Sequence, residues 1–334
     1  MSIEFERGVQ EATFYSPLAD FEQVTVEVEV RADPLTGRRA RIVPDNFLLP
    51  EEEPDVEEYV GDAEGCFFCP DSVGEVTPTY PDWVGFDRGE VGEATSFPNL
   101  NPYGAHSNVV ALTEDHYRPI DEFTPEIFED GFAAALEYVT AVVDHDESAA
   151  FGSVNMNFLP SAGSSIVHPH LQTLVDDRGT EEQARLAEAG RAYADDHGTD
   201  YWRDLVEEEQ DSERYVASTG SVDWLAPFAP KHHRHLVGVA AEPGVPDPDE
   251  NVVADLASGV VDVLEYYADV GLTSFNLALF VAADPALPTL ANLTARSVFD
   301  RYYWSDATFF TVLHDESVVD VAPETYAREA AEHF

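Results

Sequence analysis

Ser164-Ser165-Ile166-Val167-His168-Pro169-His170-Leu171-Gln172 is the stretch that decides how this 334-residue chain is read. Ile166, Val167, Leu171, Leu174 and Val175 are apolar and β-prone, so the stretch reads as a strand. Side chains alternate across a strand, which puts His168, His170 and Gln172 on one face and Val167, Leu171 and Thr173 on the other. Two imidazoles and an amide in a row make a poor core and a good reactive surface. Just upstream, Ala162-Gly163-Ser164-Ser165 is a small, turn-prone loop whose amides and hydroxyls suit phosphate oxygens. An imidazole beside such a loop can attack phosphorus and form a covalent phosphoramidate. The same residues also suit a buried hydrogen-bonded histidine pair or a structural metal site. The strand alone leaves these three readings open.

The composition narrows the setting. There are 66 Asp+Glu against 17 Lys+Arg, a formal charge of −49, and Lys231 is the only lysine. Such a surface repels phosphodiester backbones and anionic lipid, so nucleic-acid and membrane partners are excluded. The acids are dispersed (Glu51-Glu52-Glu53, Asp176-Asp177, Glu207-Glu208-Glu209) rather than gathered in a tail. A soluble cytoplasmic protein from a very salty interior fits best, because salt screens the self-repulsion. The sequence has no run of eighteen apolar residues, and Met1 to Arg7 lacks the pattern of a signal peptide. Both cysteines, Cys66 and Cys69, fall in one Cys-x-x-Cys, a spacing that points to metal or redox chemistry.

Along the chain, Phe21–Val30 alternates and forms a hairpin with Arg39–Val43 across Asp33-Pro34-Leu35-Thr36-Gly37. Gly65-Cys66-Phe67-Phe68-Cys69-Pro70 is a tight knuckle, and Asn108–Leu112 is a strand. Phe128, Phe132, Ala135, Leu136, Val139, Val142 and Val143 recur at helical spacing, and Phe151–Phe158 is the strand that follows. Thr180–Glu209 reads as a helical connector lying on the surface. Strands are expected at Arg214–Ser218, Val222–Ala226 and His235–Val239, then a helix through Val253, Leu256, Val260, Leu264 and Tyr267, then a strand at Ser274–Val281. Leu136-Glu137-Tyr138 followed by Ser153-Val154-Asn155 is echoed by Leu264-Glu265-Tyr266 followed by Ser274-Phe275-Asn276, which indicates an internal duplication. The second copy reaches Asn292-Leu293-Thr294 and has no His-Pro-His. Hairpin-like connections make the class antiparallel α+β.

With these pieces in order, the chain resembles the galactose-1-phosphate uridylyltransferase family, the two-repeat transferase branch of the histidine-triad superfamily. The resemblance is carried by Asp33-Pro34-Leu35-Thr36-Gly37, Cys66-Phe67-Phe68-Cys69-Pro70, Phe97-Pro98-Asn99, His116, Asn157 through Gln172, Trp224-Leu225-Ala226-Pro227-Phe228, Phe275-Asn276 and Pro323-Glu324-Thr325-Tyr326-Ala327. It implies two histidine-triad-like repeats, each an antiparallel sheet with flanking helices. Residues 1–185 would hold the zinc knuckle and the catalytic strand, and 186–334 the half without the motif. It implies a ping-pong transfer of UMP from UDP-glucose to galactose 1-phosphate through a uridylylated His170. Gln172 would hydrogen-bond the phosphoryl oxygens, and glutamine, unable to act as acid or base, favours transfer over hydrolysis. Ser164 and Ser165 would contact phosphate, Asn99 and Asn157 would position the nucleotide, and Phe67 and Phe97 would pack on base or ribose or serve as core aromatics. Cys66, Cys69, His116 and His168 would hold a structural Zn²⁺.

The resemblance also implies a homodimer. The departures matter too: Val43-Pro44-Asp45-Asn46-Phe47-Leu48-Leu49-Pro50 lacks the family's phosphate-binding arginines. Asn292-Leu293-Thr294 lacks the histidines of a second metal, and Phe309–His314 matches the family's sugar-contacting segment poorly. These leave room for an ADP-sugar or dinucleoside polyphosphate phosphorylase using the same histidine, and for a non-catalytic nucleotide-binding zinc protein. Lys231-His232-His233-Arg234-His235 reads as a solvated surface loop, or an adventitious metal-binding surface, in preference to a sugar-phosphate site.

Overall fold

The structure, a computed structural model, describes residues 3–43, 56, 60–61, 64–240, 242–296 and 306–334. The arginine-free segment 44–50 and most of the acidic stretch after it lie outside the described residues.

The hairpin expected near the start is present, and it belongs to a small sheet of its own. Strands β1 (Arg7–Ser16), β2 (Glu22–Ala32), β3 (Arg39–Ile42) and β14 (Ser317–Val319) lie in the order β1-β2-β3-β14, with β14 parallel to β3. Strand β1 escapes the sequence pattern because nine of its ten residues are exposed, so no face carries an apolar period.

A ten-stranded sheet makes up the rest. Its first five strands are β4 (Gly89–Val91), β5 (Ala94–Pro98), β6 (His106–Ala111), β7 (Phe151–Phe158) and β8 (His170–Asp176). The other five are β9 (Tyr215–Thr219), β10 (Val222–Leu225), β11 (Leu236–Ala240), β12 (Phe275–Ala282) and β13 (Leu290–Ala295). The order β4-β5-β6-β8-β7-β12-β13-β11-β10-β9 shows the same arrangement twice, related across the β7–β12 pair. Strands β7 and β12 are antiparallel from Phe158↔Phe275 to Phe151↔Ala282, so the two expected antiparallel sheets are joined edge to edge.

Helices cover both faces. The knuckle runs into the short helix α1 (Pro70–Val76). Helices α2 (Pro125–His145) and α5 (Asn251–Asp269) fill the third-to-fourth-strand connection of each set. They bury Phe128, Phe132, Leu136, Val139, Leu256, Val260, Leu264 and Tyr267 against Leu171, Val175, Val154, Met156, Leu277 and Leu293. Burying such side chains is worth about 1.5–3 kcal/mol each, which makes this face the main core.

The segment expected to be a surface connector forms α3 (Glu181–His197), opened by a Thr180/Gln183 capping box, and α4 (Tyr201–Glu209). It is helical but not superficial: Leu186, Tyr201, Trp202 and Leu205 seal the opposite face of the second set against Leu225, Val237, Phe280 and Leu290. Short helices α6 (Phe309–His314) and α7 (Pro323–Ala330) follow. Arg31 of β2 grips Glu324 of α7 with two bonds of 2.8 and 2.9 Å, tying the small sheet to the body.

Residues 231–235 are likewise not a solvated loop. Lys231 pairs with Glu182 at 2.5 Å, and His233 and Arg234 bond Asp320 at 2.8 and 3.1 Å. His235 is 2% exposed and lies 3.3 Å from the Asn292 side chain. The cluster is an internal brace, because its charges are met by carboxylates from elements remote in sequence.

Candidate functional site

The motif strand begins at His170, not at Ser164. Residues 164–169 form a loop, since Ser164 bonds back to the carbonyl of Leu159 and Pro169 has no N–H to place in a ladder. From His170 onward the alternation holds: Leu171, Thr173 and Val175 are buried on the side of the main core, and His170 and Gln172 face the other way. Pairing with β6 and β7 sets Ala111 beside His170, and Val109 and Asn155 beside Gln172. Asn157 and Asn276 are cross-strand partners on that same face. Between the α3–α4 cover and the knuckle there is thus a polar strip over the middle strands.

His168 and His170 have one-way hydrogen-bond partners, and these fix their tautomers. His168 Nε2–H donates to the carbonyl of Thr113 at 2.8 Å, which turns its Nδ1 lone pair toward Cys66 Sγ at 3.7 Å and Cys69 Sγ at 3.6 Å. His170 Nδ1–H donates to the carbonyl of His168 at 2.8 Å, which leaves Nε2 as the basic nitrogen. Burial first pushes the His170 imidazole below its ordinary value, so the ring is neutral and nucleophilic at neutral pH. Burial likewise lowers His168 to about 4, with the neighbouring His116 and His170 adding to it.

Cys66, Cys69, His116 and His168 come together with one ligand atom each, all within 4.8 Å of one another. The sulfur–nitrogen separations of 3.6–3.7 Å match the edge of a tetrahedron about 3.6 Å long that follows from metal–sulfur and metal–nitrogen bonds of about 2.3 and 2.05 Å. Burial, and then Cys66, push the Cys69 thiol up to about 11, so its surroundings among the described residues favour the neutral thiol over the thiolate. A Cys69 thiolate there calls for a cation, and this donor set of two sulfurs and two imidazoles can hold a metal ion.

The loop before the strand is built tightly. Leu159 holds φ 68° and ψ 163°, a conformation that favours glycine, and Gly163 closes a short 3-10 turn at φ 92°. The amides of Ala162, Gly163 and Ser164 are bonded to Leu159 and Pro160 carbonyls, and the Ser164 hydroxyl donates to Ile166 at 2.6 Å. Among the expected phosphate contacts, Ser165 is the exposed member.

The aromatic residues separate. Phe67 is 61% exposed, whereas Phe97 is 2% exposed and packs with Val109, Ala111 and Phe68. Phe68, not singled out from sequence, stands 5.3 Å ring to ring from His170 and 6.1 Å from His168. Its place between two cysteines of the knuckle was the available signal. Asn99 is half-buried and its side chain caps the amide of Asn101 at 2.9 Å. Asn157 is exposed beside Gly163.

Comparison with known proteins follows the same lines. No family model matches the chain. An uncharacterized protein of Archaeoglobus fulgidus is 36% identical over 308 residues, 91% of this chain and 92% of that one. Among solved structures, a GalT-like protein from Arabidopsis thaliana is similar at TM-score 0.69 and 17% identity, covering 91% of this chain and 98% of that one. An ADP-glucose phosphorylase from A. thaliana with bound ADP-glucose is similar at TM-score 0.69 and 16% identity, with the same coverage. A uridylyltransferase structure follows at TM-score 0.62 and 17% identity, covering 91% and 97%. The chain belongs to one family with the A. fulgidus protein, and its fold is that of the GalT-like protein and of the uridylyltransferase.

Proposed function

We propose that the protein is a nucleotidyltransferase that moves a nucleoside monophosphate from a nucleotide sugar to a phosphate acceptor through His170. The observation that carries this reading is the His170 Nδ1–H bond to the carbonyl of His168 at 2.8 Å. Attack by Nε2 on the α-phosphorus forms an N–P bond and breaks the P–O bond to the sugar 1-phosphate, which departs as a stable anion and needs no proton. The ring gains positive charge, and the carbonyl on Nδ1–H offsets it. A phosphate oxygen of the acceptor then attacks the same phosphorus and returns the neutral imidazole. No acid is required at position 172, so Gln172 serves as a donor to phosphoryl oxygen.

Ser164 and Ser165 contact phosphate in this reading, Ser165 with the freer hydroxyl. Asn99 and Asn157 position the nucleotide, and Phe67 offers its exposed ring to the base. UDP-glucose and galactose 1-phosphate are the pair we assign first. ADP-glucose is the second reading, favoured by the higher similarity to the phosphorylase fold, TM-score 0.69 against 0.62. Cys66, Cys69, His116 and His168 would hold Zn²⁺, which would supply rigidity to the knuckle and to the backbone that bonds His170. We divide the chain into halves at 185 and 186. A homodimer is supported by β1, which leaves Val9, Phe14 and Tyr15 exposed on an edge that no strand among the described residues pairs.

The test is incubation with radiolabelled UDP-glucose or ADP-glucose without acceptor. Acid-labile, alkali-stable label on the wild-type chain that His170→Ala lacks is the expected result, and it names the base. Binding without label would leave a non-catalytic nucleotide-binding protein.

A further inference from the structure

The polar strip holds a chain of side chains that runs from the half without the His-Pro-His motif to the phosphate loop. Asp306 grips Arg296, accepting from Nε at 2.9 and 3.0 Å and from Nη2 at 2.5 Å. Arg296 Nη1 donates to Asn276 Oδ1 at 2.7 Å. Asn276 Nδ2 donates to the Ala162 carbonyl at 2.9 Å and to Asn157 Oδ1 at 2.7 Å.

The direction of this chain is forced by chemistry. A guanidinium can only donate and a peptide carbonyl can only accept, so Asn276 cannot be turned over without losing both partners. Its NH₂ must face Asn157, and Asn157 must answer with its oxygen. The Asn157 Nδ2 group is therefore the end left beside the loop, 4.0 Å from where a Cβ on Gly163 would stand. An unconstrained asparagine amide can present either end, and the oxygen end would set a lone pair against phosphate.

We propose that Arg296, acting through Asn276, fixes the Asn157 amide with its N–H groups toward the phosphate loop, so that the C-terminal half positions a donor for transfer at His170. The inference rests on the functional reading above and deepens it. Asn276 and Arg296 are positioning residues, since Asn157 alone would meet the nucleotide's phosphate.

Asn276→Asp keeps the size and the bond from Arg296, but the carboxylate can only accept. Asn157 must then donate to it and turn its oxygen to the loop. The labelling rate from nucleotide sugar should fall at least about tenfold, the scale of a hydrogen bond to a charged group. The double variant Asn157→Ala/Asn276→Asp should lose no more than Asn157→Ala, because the second change acts only through the first. The Asn157 side-chain amide resonances should shift in Asn276→Asp with no donor present. If Asn276→Asp does not fold, Asn276→Ala carries the same comparison. A variant that labels at the wild-type rate, or losses that multiply in the double variant, overturns the proposal. A wild-type chain that takes no label defeats the functional reading instead; the relay is then judged on the Asn157 resonances, and unchanged resonances overturn it.

Discussion

His170 and Gln172 are two residues apart on one strand face, and in the proposed transfer their difference in chemistry would set what becomes of a nucleotidyl-enzyme. Gln172→His would put an acid–base group where the amide now stands, and water could then compete with the phosphate acceptor. The expected outcome is faster release of free nucleoside monophosphate from labelled enzyme, measured without acceptor; release no faster than wild type would show that residue 172 does not govern water. Metal removal reads on the same few residues. Chelation should release about one metal ion per chain, zinc in the proposed reading, and slow labelling of His170, because His168 joins the ligand cluster and its carbonyl holds the His170 ring. Labelling unaffected by loss of the metal would separate knuckle from nucleophile. The cysteine pair and the histidine pair were legible as neighbours because their spacing is local: two cysteines three apart, two histidines two apart. Asn276 and Arg296 were not, since their meaning depends on the register of β12 against β7 and on a bond from Asn276 to the loop 114 residues earlier. Nor was the engaged hydroxyl of Ser164, which follows from the turn's backbone and not from its composition.

The helices α2 and α5 announced themselves by period, but how closely each approaches the sheet is decided by single glycines. A Cβ on Gly259 of α5 would lie 2.2 Å from Trp224 Nε1, and one on Gly238 of β11 would lie 2.9 Å from the same indole. Trp224 is fully buried between them, with Nε1–H donating to Thr219 at 2.9 Å. Gly259→Ala should therefore cost about 1–3 kcal/mol by overpacking, read as a lower denaturation midpoint in concentrated salt. A midpoint within error of wild type would mean that the helix can ride outward freely. The other face of α5 makes an opposite prediction. Burial first, then Glu265, raises the Asp262 carboxyl to about 6. A raised acid stabilises below its unfolded pKa and loses that contribution as pH rises through the folded value, so its charge is a burden at pH 7. Asp262→Asn should raise the thermal midpoint at pH 7 and make no difference near pH 4; a loss at pH 7 would contradict it. The acidic, alanine-rich composition of residues 180–209 marked α3 as helical too, yet not that it seals a face, because its small apolar stripe of Leu186 and Ala187 only acquires meaning against Leu225 and Phe280. Strand β1 was invisible for the converse reason: it has little to bury.

At the scale of the whole molecule, 66 acids face 17 strong bases, and several of those bases are already spent on internal pairs such as Arg31–Glu324, Arg214–Glu209 and Lys231–Glu182. The surface is left almost wholly anionic, and its repulsion is released by expansion. Salt opposes this by shortening the screening length from about 10 Å at 0.1 M to about 3 Å at 1 M. The thermal midpoint should climb steeply with potassium chloride up to about that concentration, and dialysis into dilute buffer should unfold the chain. Acid provides a second handle that works in the other direction. Burial lowers His232 to about 4 and holds His235 well below 6.5, with the Lys231 charge adding to it for His235. The unfolded chain takes up protons below about 6.5 that the folded chain refuses, so stability falls at about 1.4 kcal/mol per pH unit for each such histidine until its folded value is reached. Against burial, the bond from Arg31 holds the Glu324 carboxyl below its ordinary value, so that pair fails only at more acid pH. Repulsion among carboxylates and protonation of histidines therefore respond to pH with opposite signs, and salt decides which one is seen. In molar salt, where repulsion is screened, the histidines should dominate and the midpoint should drop steadily from pH 6.5 to 4. In dilute salt, neutralising carboxylates should offset part of that drop, giving a flatter profile. Equal pH profiles at both salt concentrations would mean that the anionic surface has no part in holding or opening the fold.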